Sequence, residues 1–202
     1  MPSWTWYGKP TWRYRDEKGR FASQSQIWQY GEKSLQSTTA EMREAALTLP
    51  PTEFEALMRR MIKMEVIKQY VLGRGGKDNL TQVDYGVMGG VIADQYRYLD
   101  AMMVAYQNGD ISPAEVARRT AMYINSAREA YERANARARG LPLMPEYAGS
   151  GSACRGLTNC KCAWEYHWRN NKWECYWTLG AAEHCELCID HASEWNPLIV
   201  EI

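Results

Sequence analysis

Six cysteines lie in the last quarter of the 202-residue chain, and their spacing suggests metal chemistry. They follow the order C-x5-C-x-C, then a single cysteine, then His-C-x2-C. A C-x2-C pair is a common zinc half-site because its spacing turns both sulfurs toward one ion, and two more ligands complete a tetrahedron. We therefore predict a structural Zn²⁺ as the cofactor. The candidate ligands are Cys154, Cys160, Cys162, Cys185 and Cys188.

Five sulfurs compete for four places in this predicted site, and the sequence leaves the choice open. Cys175 is expected to lie outside it, whereas His184 and His191 flank the C-x2-C pair and could replace a sulfur. A single histidine at such a place is more often a surface group or a hydrogen-bond partner of a ligand. Disulfides and buried thiols are the alternatives. The sequence shows no export signal, which favours a reducing compartment and so favours zinc over disulfides.

The elements that position these cysteines begin with a predicted β-hairpin between Cys160 and Thr178, where aromatic and polar residues alternate. Asn170 and Asn171 are expected to form its two-residue turn, because asparagine tolerates the positive φ that such turns require. In that register, the chain leaving the hairpin can bring Cys185 back to the predicted hairpin's first strand. The turn predicts three facing pairs: Trp168 with Trp173, Tyr166 with Cys175, and Trp164 with Trp177.

Residues 37–140 carry helical signals. Thr38 with Glu41 and Thr52 with Glu55 form two capping-box patterns that predict helix starts. Two further starts are predicted at Thr81 and at Ser112-Pro113, the latter opening one helix that ends at Arg139 before Gly140. The predicted core face of the second helix is Leu57, Met61, Met64, Ile67 and Val71, and that of the third is Val83, Val87, Val91, Tyr98 and Met102.

Small and basic residues on these helices have structural explanations. Gly86 and Gly90 are expected to let another backbone approach the third helix closely. Positive charge at Arg133, Arg137 and Arg139 suits the negative end of a helix dipole, so these arginines do not require a nucleic acid.

The N-terminal segment combines aromatic and basic residues, and it is predicted to be an extended arm. Trp4, Trp6, Trp12, Arg20 and Phe21 are its candidate partner-binding residues. Such residues can stack on bases. Insertion of the tryptophans into pockets of a neighbouring subunit is the favoured interpretation.

The predicted fold is mainly α: a helical hairpin or bundle, then a small zinc-stapled β-hairpin domain, with an extended N-terminal arm. The predicted divisions are an arm over 1–36, a helical domain over 37–140, a linker over 141–153 and a Cys-rich domain over 154–202. The linker prediction follows from its prolines and glycines.

Charge and hydropathy exclude several classes of protein. Twenty-four basic groups balance 24 acidic ones, and 46% of the residues are hydrophobic, so the chain is neither disordered throughout nor strongly basic. The longest nearly apolar run, Tyr85 to Ala93, is too short to span a bilayer, which needs about 20 residues. The sequence contains no nucleophile elbow, Walker loop or dinucleotide fingerprint, so we predict that the protein is not an enzyme.

Several segments of the chain resemble one family, the minor head or head-morphogenesis proteins of tailed bacteriophages and prophages, akin to the C-terminal part of Mu-type minor head proteins. The resemblance covers roughly Val66 to Leu198. Its C-terminal motifs are N-C-x-C-x-W and W-x-L-G-x-x-E-H-C-x-x-C, and a K-G-R-F element precedes the helices. The matching segments are Tyr70–Gly76, Thr81, Asp84–Gly86, Gln95–Leu99, Met122–Ala127, Asn159–Trp164, Trp177–Gly180, Glu183–Cys188 and Lys18–Phe21.

This resemblance implies a structural virion protein of the phage head, present in multiple copies, that docks onto capsid or portal proteins and occupies the host cytoplasm during assembly. The insert between Cys154 and Cys160 is longer than the family pattern. One alternative is a zinc-ribbon module that contacts packaged DNA, although the C-terminal segment is acidic. A second is a metal- or thiol-dependent hydrolase.

Overall fold

A computed structural model describes residues 14–15, 21–147, 162–180 and 184–201. The chain is mainly helical and carries a small antiparallel sheet near its C-terminus. The elements are β1 (Tyr14–Arg15), β2 (Phe21–Ala22), α1 (Gln24–Thr48), α2 (Pro51–Arg74), a 3-10 turn (Lys77–Asn79), α3 (Gln82–Gln107), α4 (Pro113–Asn125), α5 (Ala127–Ala138), β3 (Ala163–Arg169), β4 (Lys172–Thr178), α6 (Glu186–Glu194) and β5 (Leu198–Val200).

Helix α1 begins much earlier than the sequence predicted. Ser23 and Gln26 form the capping box, with the Gln26 backbone N–H donating to Ser23 Oγ at 3.2 Å. Thr38 is therefore not a cap; it is buried within α1, and its hydroxyl donates to Glu65 Oε1 at 2.8 Å. The predicted arm over 1–36 is wrong for residues 24–36, because the Ser23 cap satisfies the first turn of a helix that continues without a break.

Helix α2 forms as predicted, but its predicted cap is wrong and its predicted core face is right only in part, since Leu57 and Met61 pack against the core as half-buried side chains. Pro50 occupies the N-cap position without a side-chain hydrogen bond, so Thr52 lies inside the helix. Met64 and Ile67 are exposed, because α2 packs against α1, α3 and α5 through a neighbouring row. That buried row is spaced four residues apart and consists of Phe54, Met58, Ile62, Val66 and Tyr70.

The close helix contact of the bundle lies at Gly73 and not at the predicted glycines. A Cβ built on Gly73 would lie 2.4 Å from the Tyr131 backbone oxygen and 2.6 Å from Ala134 Cβ, so α5 approaches α2 where only glycine fits. A Cβ built on Gly86 or Gly90 meets no atom of the described residues within 4 Å. The predicted close packing there is wrong for the described part of the chain.

The ends of α3 agree with the sequence better than its faces do. Thr81 caps the helix in a capping box with Asp84, as predicted from Thr81. Val91 and Met102 of the predicted stripe are buried, whereas Val83 and Tyr98 are more than half exposed.

The predicted fourth helix is two helices. Ser112 caps α4 and Gly140 adopts a positive φ after α5, so both predicted ends are confirmed. Between them Ser126 interrupts the helix, and its hydroxyl donates to the Tyr123 backbone oxygen at 2.6 Å. A serine hydroxyl that bonds back to its own helix competes with the backbone ladder and often bends the helix.

The C-terminal unit confirms the predicted hairpin. Strands β3 and β4 pair antiparallel with the three predicted facing pairs, and Asn170 and Asn171 have φ values of 50° and 61°. The sequence did not predict β5, which pairs with residues 173–175 of β4 to give the strand order β3-β4-β5. The core of this unit contains Leu141, Met144, Tyr147, Cys162, Trp164, Trp173, Cys175, Trp177, Cys188 and Trp195.

The predicted linker contributes to this second core. Leu141, Met144 and Tyr147 are each at most 5% exposed, and Trp164 Nε1 donates to the Glu146 backbone oxygen at 2.8 Å. Residues 141–147 therefore cover the hairpin instead of forming a free connection, because their apolar side chains bury tryptophan surface that water would otherwise contact.

Candidate functional site

The start of β3 and the start of α6 meet at the candidate metal centre. Cys162 Sγ lies 3.8 Å from His184 Nδ1. Cys185 is the N-cap residue of α6, and Cys188 lies in its first turn and is buried. All three cysteines belong to or pack against the same apolar core. The structure therefore brings the segment before the hairpin and the C-x2-C segment together, as the register predicted.

The chemistry of these donors fits zinc. A sulfur at about 2.3 Å and a nitrogen at about 2.0 Å from one tetrahedral zinc lie roughly 3.5 Å apart, close to the separation of Cys162 and His184. Sequence reasoning ranked His184 below the cysteines, and its contact with Cys162 makes it a stronger candidate.

Two of the five predicted ligands cannot be placed. Cys154 and Cys160 lie outside the described residues. Within the described ranges, no three His, Cys, Asp or Glu side chains are grouped so that they could hold a metal ion. His191 has a different role: its Nε2 lies 2.8 Å from Glu146 Oε2, and its ring stacks on Trp195 at a centroid distance of 3.9 Å.

Cys175 is completely buried on β4, in register with Tyr166. Burial raises the pKa of its thiol to about 11, although the positive charge of Arg139 acts in the opposite direction. A protonated, inaccessible thiol is a poor nucleophile and a poor metal ligand.

The helical and Cys-rich units are joined by a buried polar junction that the sequence did not reveal. The Arg139 guanidinium lies over the Tyr166 ring at 4.8 Å and donates to the Asn135 backbone oxygen at 2.8 Å. Glu132 of α5 is 2% exposed beside them. The helix-dipole interpretation of Arg139 is therefore incomplete, since this side chain is buried against the hairpin and burial lowers its pKa to about 10.

Glu132 is a carboxyl in an environment that disfavours its charge. Burial raises its pKa to about 8, and the Arg139 charge and the Trp164 backbone N–H counteract this only in part. The nearby Tyr166 hydroxyl has no hydrogen-bond partner in the described part of the chain. At neutral pH the junction therefore holds a mostly protonated carboxylic acid.

A second buried carboxylate, Asp84, ties three helices together. It accepts hydrogen bonds from Tyr70 Oη at 2.7 Å, Thr81 Oγ1 at 2.8 Å and Arg137 Nε at 2.9 Å, and Arg74 Nε lies 3.3 Å away. Burial acts to raise the pKa of Asp84, but the hydrogen bonds outweigh it and hold the pKa below its usual value. Asp84 was not singled out by its chemistry, although the Thr-x-x-Asp spacing is a capping signal that could have located it.

The predicted arm residues contribute little to the geometry. Trp4, Trp6, Trp12 and Arg20 lie outside the described residues, and Phe21 is placed only as a backbone position of β2, paired with Arg15 of β1.

The outer side of the hairpin, away from the buried cysteines, forms a pocket of about 390 Å³. The lining side chains include Glu165, His167 and Arg169, and His167 Nε2 lies 3.7 Å from Glu165 Oε2. The Thr178 hydroxyl, which also lines it, already donates to the Ala163 backbone oxygen at 2.9 Å. Among the residues that line the pocket, no hydroxyl donates a hydrogen bond to another lining side chain that could act as its general base.

Comparison of the chain with models of known protein families, with curated proteins and with solved structures finds no match. Among the described helices, none has the length and apolar character required to cross a bilayer.

Proposed function

We propose that this protein is a structural, non-catalytic component of a tailed-bacteriophage head that docks onto capsid or portal proteins. The observation that carries the proposal is the buried network around Asp84. Tyr70, Arg74 and Thr81, which belong to the segments that resemble head proteins, meet there with Arg137 around a completely buried carboxylate. Residues used in this way hold helices together, which suits a rigid assembly part.

The proposal includes a structural zinc site at the base of the hairpin. Cys162, Cys185 and Cys188 would bind the ion, with a fourth ligand from Cys160, Cys154 or His184. When bound, the metal supplies folding free energy to a unit whose described residues form one short sheet and one short helix. The Cys162 to His184 contact of 3.8 Å supports this proposal.

Metal analysis of the full-length, reduced protein tests the zinc site. We expect about one zinc per chain, in keeping with a single four-ligand site. Cys188→Ser should lose the metal and make the region after Ser152 sensitive to protease. Cys175→Ala is the matched control and should keep the metal, because Cys175 faces the Arg139 junction. Metal-free protein with mapped disulfides would contradict the zinc site and leave the virion proposal standing.

Fractionation of assembled particles tests the virion role. Particles made by the phage or prophage that encodes this chain should contain it as a stable component that survives washing at high salt. In purified form it should bind the capsid or portal protein of that phage, and alanine substitution of Trp4, Trp6 and Trp12 should weaken that binding. Absence from particles, together with DNA affinity that falls steeply with salt, would favour the DNA-binding alternative instead.

A further inference from the structure

Helix α3 is apolar on both sides, which is unusual for a helix at the edge of a bundle. Its inner side packs in the core through Met88, Leu99 and Met102. Its outer side carries a second row at three- and four-residue spacing, which we call the α3 outer row and whose members are all exposed. The α3 outer row consists of Val83, Gly86, Gly90, Ala93, Arg97, Ala101 and Val104.

Large apolar side chains at both ends of this row are uncovered. Val83 and Val104 are each 58% exposed, and Tyr98 beside the row is 55% exposed. Between them the helix carries small residues. A Cβ built on Gly86 or Gly90 would have no atom of the described residues within 4 Å. Another helix could therefore lie close to α3 along about six turns.

The order of residues in the row makes it complementary to itself. The three positions at each end of the row have the same spacing when read inward: Val83, Gly86 and Gly90 from one end, and Val104, Ala101 and Arg97 from the other. In two antiparallel copies related by a twofold axis, these positions therefore face one another. The two valines then meet at each end, and Arg97 meets a glycine. The facing pairs are Val83 with Val104, Gly86 with Ala101, and Gly90 with Arg97.

The charges in the row fit the same arrangement. Arg97 NH2 lies 3.3 Å from Asp94 Oδ1, and both side chains are more than 60% exposed. In the antiparallel pair, Arg97 lies over Gly90 of the second copy, one helical turn from that copy's Asp94. Each copy therefore presents an arginine to the aspartate of the other. A parallel pair would instead bring the two arginines together, which is unfavourable.

We propose that the α3 outer row is a homodimer interface in which two copies of this chain pack antiparallel through α3. This inference goes beyond the virion role and does not depend on the zinc site. A single helix pair buries an area at the low end for specific interfaces, so the dimer is weak and depends on concentration. An assembly that holds several copies together would strengthen it through effective concentration.

Sedimentation equilibrium of the full chain over a concentration series tests the interface. The wild-type mass should rise toward that of two chains as concentration increases. Ala101→Glu places a charge in the row and should weaken association by about tenfold or more. Ala40→Glu is the matched control, an identical change at an exposed position of α1, and should associate like the wild type. Circular dichroism melts check that both variants fold.

Charge reversal tests the antiparallel register. Arg97→Asp alone and Asp94→Arg alone each place like charges across the interface and should weaken the dimer, and the double variant should restore it. The proposal is overturned by a wild type that stays monomeric at every concentration, by an Ala101→Glu variant that associates normally, or by a double variant that stays dissociated. It is also overturned if full-chain Trp4, Trp6 and Trp12 alanine substitutions abolish association while Ala101→Glu does not.

Discussion

The Asp84 network and the Glu132 junction both bury a carboxyl almost completely, yet they give it opposite character. Asp84 is surrounded by Tyr70, Thr81 and Arg137, which all donate to it, and its pKa lies below the usual value. Glu132 has a buried cation nearby, and the Trp164 backbone N–H and the Asn135 side chain also favour its charged form, but burial outweighs them and raises its pKa to about 8. Burial penalises charge in both places, so the number and geometry of donors decide whether the carboxyl is ionised.

This difference assigns different roles to the two regions. The Asp84 network is a charged clamp that joins α2, α3 and α5, and removal of one partner leaves other charges uncompensated. The Glu132 junction joins α5 to the hairpin with a carboxylic acid that is close to ionising. As pH rises from about 4.5 to 8, the helical unit should therefore keep its stability, whereas its attachment to the Cys-rich unit should weaken.

Replacement of the Asp84 carboxylate should give the largest effect. Asp84→Asn leaves Arg137 and Arg74 without their counter-charge in a buried site, and we expect a loss of about 3–5 kcal/mol in the free energy of unfolding. Urea denaturation measures it. Asp110→Asn is the control, because Asp110 is exposed in the loop before α4. If Asp84→Asn lowers the free energy of unfolding no more than Asp110→Asn does, the network does not hold the helices together.

Glu132→Gln should remove a pH dependence. The folded-state pKa of about 8 lies above the ordinary glutamate value, so the folded state keeps a proton that the unfolded state releases. Wild-type stability should then fall by roughly 1 kcal/mol per pH unit as pH rises from about 4.5 to 8, and level off above that. Relative to the wild type, Glu132→Gln gains stability over this window.

Unfolding curves at several pH values, followed by tryptophan fluorescence, check this prediction. Trp164 and Trp173 of the hairpin lie at the junction and report on it. Glu165→Gln is the matched control on the exposed face of β3 and should keep the wild-type slope. Equal slopes for the wild type and Glu132→Gln would show that Glu132 is ionised in the folded protein.

Tyr70→Phe should give the smallest effect. It removes one hydrogen bond to a charged acceptor, the 2.7 Å contact with Asp84 Oδ1, and keeps the buried ring. A loss of about 1.5 kcal/mol is expected, since Thr81 and Arg137 still hold the carboxylate. Tyr30→Phe on the exposed side of α1 serves as the control. An effect as large as that of Asp84→Asn would mean that Tyr70 alone keeps Asp84 charged.

Sequence patterns located many elements but not the side chains that matter most. The caps at Thr81 and Ser112 and the Asn170-Asn171 turn were predicted because each depends on a few neighbouring residues. The core face of α2 was not, because two adjacent rows of that helix are apolar and both satisfy helical periodicity. Thr38 matched a capping pattern, but α1 already begins after its cap at Ser23, so Thr38 lies within the helix.

The candidate site was predictable in outline only. The cysteine spacing indicated that two segments converge, and the hairpin register placed Cys162 near the returning chain. The sequence could not identify His184 as the neighbour of Cys162, because that contact joins residues 22 positions apart. Likewise, nothing local distinguishes Arg139, which packs on Tyr166, from Arg137, which bonds to Asp84 of α3.

The sequence by itself determined that residues 38–140 are mainly helical, and it determined the hairpin turn and its register, since backbone preferences and side-chain alternation act over a few residues. Only the tertiary structure decided which helix faces are buried, which carboxyl is charged and which row of α3 is left uncovered. These properties depend on what lies across a packing contact, and residues far apart in the chain meet there only once the fold has formed.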